Sequence, residues 1–499
     1  MSKRLLFFIF LNIVFFISCQ RRQDSVLIEY EADRLFYWAN KGYQSILINP
    51  NIASEEDFDI AIKSFRSIGK KFRNYATRSQ NIRSIVRRSE LDIPALFIIQ
   101  KNFQAALQEY DRIIQENKLD TLLQASARFN KASLYEKLGD LKQALDEYKI
   151  FMASYSSLFY KNEASFQFLQ VPIRIARLKK IMKDKNSNLE YKQARRFYRQ
   201  LLVTKSKNIP YSLLYQLIAL TFSESGQWQS TVRVLKEFLA THGDTIQEPG
   251  VLLEIGDIYM MRLNSPSDAI REYQNIIKKY PNHIQTAVAQ MNIGDIMLRR
   301  GQYDVARTHF GYVINRFKNN PQLCGTAQFK IAFTYEKEGK WAKALNEYEW
   351  LWTKYPLTYE ALLVPNHIAK YYMDHNMVSL ARKAFVRAIS EYQSFLDKYK
   401  KHKLAAFSQL QLAYSYKSIK KYKQAIRTAE RIFADYPKNN IIPDAYLFIA
   451  GIYENELDNP QKAIKIYDNL LKKFPSNPNV AVLRKKIQIL SKQINKRRQ

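Results

Sequence analysis

A ten-residue motif, Gly301-Gln-Tyr-Asp-Val-Ala-Arg-Thr-His-Phe310, recurs in degenerate form along the chain. Its sixth position holds a small residue, and aligning that position gives ten anchors: Ala106, Ala144, Ala194, Thr231, Ala269, Ala306, Ala344, Ala381, Ala425 and Ala463. Seven of the nine steps between anchors are 37 or 38 residues, and the other two are 50 and 44. A period in this range with two helical segments per unit is typical of a solenoid, because one helical hairpin cannot bury its apolar face alone.

The positions around each anchor follow a packing pattern. Most units carry a large ring four residues after the anchor, one helical turn along the same face: Tyr110, Tyr148, Tyr198, Tyr273, Phe310, Tyr348, Phe385 and Tyr467. A second small residue precedes most anchors by 12 or 13 residues: Ala132, Ala219, Gly256, Gly294, Ala332, Ala369, Ala413 and Ala450. Gly139, Gly226, Gly301 and Gly339 fall between the two helices, where a left-handed helix cap is expected.

This order of small residue, aromatic, glycine turn, alanine and aromatic resembles the tetratricopeptide repeat (TPR) pattern over roughly residues 95 to 475. The resemblance implies an all-α, right-handed TPR-like α-solenoid of about ten or eleven helical hairpins with a C-terminal capping helix. The packing residues of the repeat would then be Ala144, Ala269, Ala306, Ala344, Ala381, Ala425 and Ala463. Because packing residues carry the match, it indicates the fold more than the function.

The chain begins with two cations, an apolar run and Ser18-Cys19. About 14 apolar residues indicate a secretory signal, since a membrane span needs about 20. Phe16-Ile-Ser-Cys19 resembles a bacterial lipobox, whose cysteine becomes the diacylated first residue of the mature protein. The resemblance implies a lipoprotein signal peptide over residues 1–18, lipidation of Cys19 and a lipidated tether over 19–26. The alternative is an ordinary signal peptide with an incidental cysteine.

The residue after the cysteine is Gln20, whereas aspartate is associated with inner-membrane retention in some bacteria. We therefore expect a lipid anchor in the outer membrane, with the protein on the periplasmic face. Past the tether, residues 27–80 are predicted as a degenerate N-terminal repeat, 81–475 as the array, and 476–499 as a capping helix with a basic tail. The extra residues in the step from Ala144 to Ala194 predict a bend or loop, and those after Ala381 predict a longer helix.

No constellation in the sequence supports catalysis. The six histidines show no pair at metal-binding spacing, and no phosphate-binding glycine loop or nucleophile elbow is present. With Cys19 lipidated, Cys324 has no disulfide partner and is expected to be a small buried residue. We expect no catalytic residues, no metal and no cofactor.

The charge balance points to anionic partners. Lys and Arg number 78 against 46 Asp and Glu, a net charge of +32, and such a field attracts polyanions. The secretory signal argues against nucleic acid and leaves anionic lipid, an envelope polymer or an acidic protein. The competing explanation is compositional, because an AT-rich genome raises the lysine content.

TPR arrays bind partners on the concave face formed by the first helix of each hairpin. Projecting the repeat onto this chain places seven candidate partner-binding residues on that face: Phe329, Phe333, Glu336, Lys337, Lys370, Tyr414 and Lys417. The exposed rings suggest a protein or peptide groove. The alternative is that they pack against a neighbouring repeat.

A TPR solenoid on an outer-membrane anchor resembles the TPR lipoproteins of the bacterial envelope, with the BamD type of assembly lipoprotein as the comparison. The resemblance implies a non-enzymatic, periplasm-facing scaffold that binds envelope proteins, in outer-membrane or envelope assembly. The alternative function is a polyanion- or cell-wall-associated factor that uses the basic surface and regulates a cell-wall enzyme.

Overall fold

The computed structural model describes the backbone of residues 3–50, 52–160, 166–204, 209–243, 246–475 and 479–498, with side chains from residue 26 to 495 of these ranges. All regular structure in these ranges is helical. The chain divides into two compact units, Met1–Gly243 and Asp244–Gln499.

Unit 1 contains eleven α-helices and one 3-10 helix in its described ranges. The α-helices are α1 Lys3–Ile48, α2 Glu55–Phe72, α3 Gln80–Ile99, α4 Phe103–Glu116, α5 Thr121–Leu138, α6 Leu141–Tyr155, α7 Ser157–Tyr160, α8 Val171–Ile181, α9 Ser187–Val203, α10 Tyr211–Glu224 and α11 Trp228–His242. The 3-10 helix, Phe166–Gln170, precedes α8.

Unit 2 contains thirteen α-helices in its described ranges. They are α12 Glu248–Met261, α13 Pro266–Lys279, α14 Ile284–Arg299, α15 Tyr303–Arg316, α16 Pro321–Lys337, α17 Trp341–Lys354, α18 Tyr359–Asp374, α19 Val378–Tyr399, α20 Ala405–Ser418, α21 Tyr422–Asp435, α22 Ile442–Asn455, α23 Pro460–Lys473 and α24 Val480–Arg498.

The helices of unit 2 stack as consecutive hairpins, each helix packing against the next in the chain. In addition, α12, α14, α16, α18 and α20 pack against one another in order, so the first helices of successive hairpins lie side by side. The arrangement confirms the predicted TPR-like α-solenoid architecture. It also gives unit 2 one face built from first helices alone.

The anchor residues lie at the centre of the packing. The seven alanines named above as packing residues are buried, Ala381 at 4 % exposure and the others at 0 %. The rings four residues further on are buried with them, including Tyr148, Tyr273, Phe310 and Tyr348. Cys324 is a free cysteine and fully buried, as predicted.

The turn between the two helices of a hairpin has one backbone signature. The residue five positions before the anchor has a positive φ in nine units, and in four of them it is the predicted glycine: Gly139, Gly226, Gly301 and Gly339, with φ of 84°, 77°, 73° and 78°. In the other five units the residue is Lys101, Asn264, Asn376, Lys420 or Asp458, with φ between 42° and 63°. The left-handed turn is therefore a property of the repeat, and glycine is the least strained way to make it.

The two long steps in the repeat are accommodated differently. α19 has 22 residues, which confirms the predicted helix extension after Ala381. The surplus after Ala144 was predicted to form a bend or loop at residues 154–163 and 183–188. Residues 182–186 do form a turn between α8 and α9, but the described part of 154–163 is almost entirely helical and includes α7, with Leu158 and Phe159 buried. These apolar side chains explain the difference, because burying them stabilises a packed turn over a protruding loop.

The first and last helices, α1 and α24, form the ends of the chain. The backbone of α1 is helical from Lys3, so this helix begins before residue 27, where the N-terminal repeat was predicted to start. The side chain of Cys19 lies outside the described residues. Within the residues that the structure describes, no helix combines the length and hydropathy needed to cross a bilayer. At the other end α24 packs against α23 and buries Leu483 and Leu490 in the terminal core cluster.

Candidate functional site

The first-helix face of unit 2 contains a cavity of about 440 Å³ between α16, α18 and α20. We call this cavity the groove. It is lined by Phe329, Leu363, Asn366, His367, Lys370, Met373, Phe385, Gln411, Tyr414 and Ser418. Three of the seven residues projected onto the concave face, Phe329, Lys370 and Tyr414, therefore line one cavity.

The floor of the groove at α16 is aromatic. The ring of Phe329 is half-buried, with its centroid 5.4 Å from that of Tyr348 and 5.6 Å from that of His367. Its ring also packs on the core cluster that contains Ala344 and Tyr348. Phe329 thus contributes both to the packing of the repeat and to the groove lining, so the two roles considered for this ring are combined.

Glu336 is held in a polar network beside that floor. The hydroxyl of Tyr348 donates a hydrogen bond to Glu336 Oε2 at 2.9 Å, and His367 Nε2 lies 2.7 Å from the same oxygen. Burial opposes ionisation of Glu336, but the contacts with His367 and Tyr348 prevail and lower the pKa of the carboxyl. Burial, followed by the field of Glu336, raises the pKa of the Tyr348 hydroxyl. The carboxylate therefore joins three helices instead of facing solvent alone.

The same network recurs along the chain. In each case the anchor-plus-four tyrosine hydroxyl reaches a carboxylate of its partner helix, and the next helix of the stack supplies a third polar group. The sets are Tyr148 with Glu136 and Arg174, Tyr273 with Asp257 and Asn292, and Tyr467 with Glu454 and Lys486. Each buried hydroxyl gains a partner in this way, which avoids the cost of an unsatisfied polar group.

Other projected residues are engaged away from the groove. Lys337 Nζ lies 5.0 Å from the ring centroid of Phe333, a cation–π contact within α16 between two residues that do not line the groove. Lys417 forms an ion pair at 3.3 Å with Glu456, the residue that follows α22. Phe333, Lys337 and Lys417 are therefore not brought together with the lining of the groove.

The rim of the groove is exposed and of mixed character. Met373 and Tyr414 are 45 % and 41 % exposed, and Lys370 is exposed without an ion pair to any described residue. Protein interfaces commonly have an apolar centre surrounded by a polar or charged rim. The apolar patch beside the unpaired Lys370 has this arrangement. The groove is thus suited to a partner that has an apolar side chain next to an acidic group.

The amide groups of the groove were not among the residues predicted from the sequence. Asn366 Nδ2 donates to the carbonyl oxygen of Gln411 at 2.9 Å and to its Oε1 at 3.0 Å. Ser415 Oγ donates to Asn366 Oδ1 at 2.6 Å. Asn366 occupies the repeat position of Phe329, three residues before the small residue of its helix, and this shared register is the signal that identifies it.

A larger cavity of about 850 Å³ lies in unit 1 near the ends of α2 and α4. Two of its three arginines form ion pairs: Arg87 with Asp120 through two nitrogens, and Arg73 with Glu90 and Glu116. The third, Arg83, donates hydrogen bonds to the carbonyl oxygens of Ala76 and Thr77. Because the ion pairs neutralise two of the guanidinium groups, the cavity offers less free charge to a ligand than its composition suggests. Within the described residues, no group of three or more His, Cys, Asp or Glu side chains is arranged to hold a metal ion.

Comparison with known families defines the class of protein. Two models of the tetratricopeptide repeat match the chain, one over residues 100–156 and the other over 251–283, 326–358, 407–439 and 444–477. The chain is thus a helical-repeat scaffold of the kind that binds other proteins. More particularly, it contains tetratricopeptide repeats, and the matched segments of α16–α17 and α20–α21 include most of the groove helices. No enzyme family is among these matches.

Solved structures of repeat proteins match the chain at low similarity. Yeast Tom70 is 12 % identical, with 93 % of this chain and 97 % of that chain covered and a TM-score of 0.40. The C-terminal part of a TPR repeat-containing protein from Cytophaga hutchinsonii is 18 % identical, with 54 % and 98 % covered and a TM-score of 0.31. These TM-scores are too low to bear on function. No curated protein matches the chain.

Proposed function

We propose that the protein is a non-enzymatic scaffold of the bacterial envelope that binds a partner protein in the groove. In this proposal a lipid anchor at Cys19 holds it on the periplasmic side of the outer membrane, where it takes part in envelope assembly. The matched tetratricopeptide repeats support the scaffold role, and the N-terminal sequence supports the anchor.

The composition of the groove supports its choice as the partner-binding site. Within unit 2, the groove combines an aromatic floor, amide groups held by neighbouring helices and an unpaired Lys370 on the rim. Rigid, partly buried rings beside adaptable polar groups are what concentrate binding energy in protein interfaces. A segment with an apolar side chain and a nearby carboxylate fits this lining.

The experiment is site-specific photocrosslinking in the native envelope. A photoreactive residue at Met373, on the rim, is expected to give an adduct with one partner. The matched position is Val386, which is 53 % exposed on α19 and outside the groove lining. Lys370→Glu is expected to remove the Met373 adduct without changing thermal unfolding. Equal adducts from both positions, or an adduct that persists in Lys370→Glu, would place the partner elsewhere.

A second candidate function, a polyanion-binding factor, is favoured by α24. The helix contains no acidic residue, and Arg484, Lys485 and Lys492 are exposed on it. If this surface binds an anionic envelope polymer, reversing these three charges should weaken polymer binding, and binding to the unmodified chain should fall steeply with added salt. The groove contact should depend on salt much less, so the two functions are separable in one titration.

A further inference from the structure

The outward side of α1 in unit 1 is exposed and apolar along its described length. Its opposite side packs on α2 and α3 through Ala32, Ala39 and Ile46, which are spaced by seven residues. We call the exposed side the N-terminal face, defined by Val26, Leu27, Tyr30, Tyr37, Trp38 and Ile48. Each of these side chains is 59 % to 73 % exposed, which is far more than a packed helix face carries.

The charges of α1 are sorted between its two sides. The acids are engaged with neighbouring helices: Glu31 pairs with Lys71 of α2, and Glu29 accepts a hydrogen bond from Ser79 next to α3. By contrast, Arg34 and Lys41 are exposed among the rings, and Lys41 Nζ lies 4.9 Å from the ring centroid of Trp38. The N-terminal face therefore presents aromatic, aliphatic and cationic groups.

α2 extends this separation of charge. Its first turn carries Glu55, Glu56 and Asp57, beside the far end of α1, whereas its last turn carries Lys70 and Lys71, beside the start of the described face. The cations of α2 thus lie toward the end of α1 that is nearer Cys19. The backbone of α1 is helical without a break from Cys19 to Ile48, so a lipid anchor at Cys19 would hold the N-terminal face close to the bilayer.

We propose that the N-terminal face lies on a membrane surface that contains anionic lipid. Tyr and Trp side chains are amphipathic and are enriched where a protein meets the headgroup region. A helix with an apolar and aromatic side and nearby Lys and Arg binds in the plane of such a surface. The face would hold unit 1 against the bilayer, in addition to any anchor at Cys19.

The charges also argue against a second copy of the chain as the occupant. In a symmetric pair of faces, each patch meets its own copy. Arg34 and Lys41 would then face like charges, with Asp33 as the one exposed acid of this part of α1, and Asp33 already accepts a hydrogen bond from Asn81. An anionic lipid surface neutralises the same cations.

The test uses the emission of Trp38, one of five tryptophans, in the full chain reconstituted with vesicles. The contribution of Trp38 is obtained by comparison with Trp38→Phe. In vesicles of phosphatidylcholine and phosphatidylglycerol that carry brominated acyl chains, we expect most of that contribution to be quenched. Replacing phosphatidylglycerol with phosphatidylcholine should reduce the quenched fraction.

Charge variants test the cations directly. Arg34→Glu combined with Lys41→Glu is expected to lower the fraction of Trp38 in contact with lipid about fivefold. The control is Lys423→Glu with Arg427→Glu, the same change in net charge on exposed positions of α21. Circular dichroism of both variants verifies that the helices are retained.

Three outcomes would overturn the proposal. Trp38 that is quenched by iodide in water and not by brominated lipid is solvent-exposed. If neither iodide nor brominated lipid quenches Trp38 and the mass measured by sedimentation is doubled, Trp38 lies in a contact between two copies of the chain. If the quenching is equal with and without phosphatidylglycerol, and equal in the charge variants, the attachment at Cys19 alone brings Trp38 to the bilayer. The groove is not involved, so none of these results bears on partner binding.

Discussion

Gly294 on α14 lies directly against the ring of Phe310 on α15: a Cβ built on residue 294 would stand 2.7 Å from Cζ of Phe310. The same relationship joins Gly256 on α12 to Tyr273 on α13, where the built Cβ would be 2.8 Å from Cδ1. Cβ atoms do not approach rings this closely, so the small residue of the first helix sets how near the second helix can pack. Phe310 is fully buried, and its ring has no room to move away.

The first prediction is that Gly294→Ala destabilises the protein by about 1 to 3 kcal/mol through overpacking. The matched control is Gly311→Ala in α15, where a Cβ meets nothing within 4 Å. That control should gain up to about 1 kcal/mol, because alanine favours a helix interior. Urea unfolding of the two variants measures the difference, and equal stabilities would show that the ring of Phe310 repacks.

A second prediction concerns Lys420, which has a φ of 61° in the turn between α20 and α21. Gly339 has the same place in its own repeat, with a φ of 78°. Since a side chain in this left-handed region is strained, Lys420→Gly should raise the free energy of unfolding by about 0.5 to 1 kcal/mol. Lys423→Gly in α21 should instead lower it by about 1 kcal/mol. Thermal unfolding midpoints that fall in both variants would contradict the assignment of strain at residue 420.

Much of the fold was predictable, because the period and the small-to-large spacing are local properties of each repeat. The left-handed turns were predictable where glycine marks them, as at Gly301, but not at Asn376, whose conformation is imposed by the helices on either side. The division after Gly243 was not visible either, since the step from Thr231 to Ala269 is 38 residues, like most others.

The candidate site was less predictable, because its contacts join residues far apart in sequence. Glu336 and His367 are 31 positions apart, and they meet only when α16 and α18 stack side by side. Repeat register alone places both on first helices, but it does not show which polar group meets which. Repeat register therefore places all seven projected residues on first helices, but side-chain packing decides which of them line the groove.

The third prediction rests on Asp92 of α3, whose Oδ2 is buried without a hydrogen-bond partner. Burial raises the pKa of this carboxyl from 3.8 to about 6, against the opposing charge of Arg88. A raised folded-state pKa stabilises the protein at low pH, and this contribution is lost as pH rises through about 6.

Asp92→Asn should therefore flatten the pH dependence of stability between the two pKa values. It should also stabilise the protein at neutral pH, by about 1 kcal/mol after allowance for partial exposure. The control is Asp397→Asn, the same substitution at an exposed position of α19. Denaturant unfolding across the acid range tests both variants. A pH profile of Asp92→Asn that parallels the unmodified chain would mean that Asp92 does not cause the dependence.

A fourth prediction tests the anchor. Cys19→Ala should abolish acylation and shift the protein from the membrane fraction toward the soluble fraction, because in the proposed function the acyl chains supply the main attachment. The measurement is fractionation after a high-salt wash, with labelled fatty acid to follow acylation. Cys324→Ala, which removes a buried thiol, is expected to keep the label. Unchanged outer-membrane fractionation of Cys19→Ala would show that another attachment dominates.

The last prediction separates two neighbouring rings of α16. Phe329 packs against Tyr348 and His367, so Phe329→Ala should lower the free energy of unfolding by about 2 to 3 kcal/mol, toward the lower end for a half-buried ring. Phe333 is also half-buried, but its ring contact with Lys337 is a surface one, so Phe333→Ala should cost less than about 1 kcal/mol. Melting curves of the two variants measure both losses of stability.

Partner capture measured on the same proteins should be weakened by Phe329→Ala and retained by Phe333→Ala, since residue 329 lines the groove. If capture is retained by Phe329→Ala and weakened by Phe333→Ala, the partner binds at Phe333 and Lys337 and not in the groove.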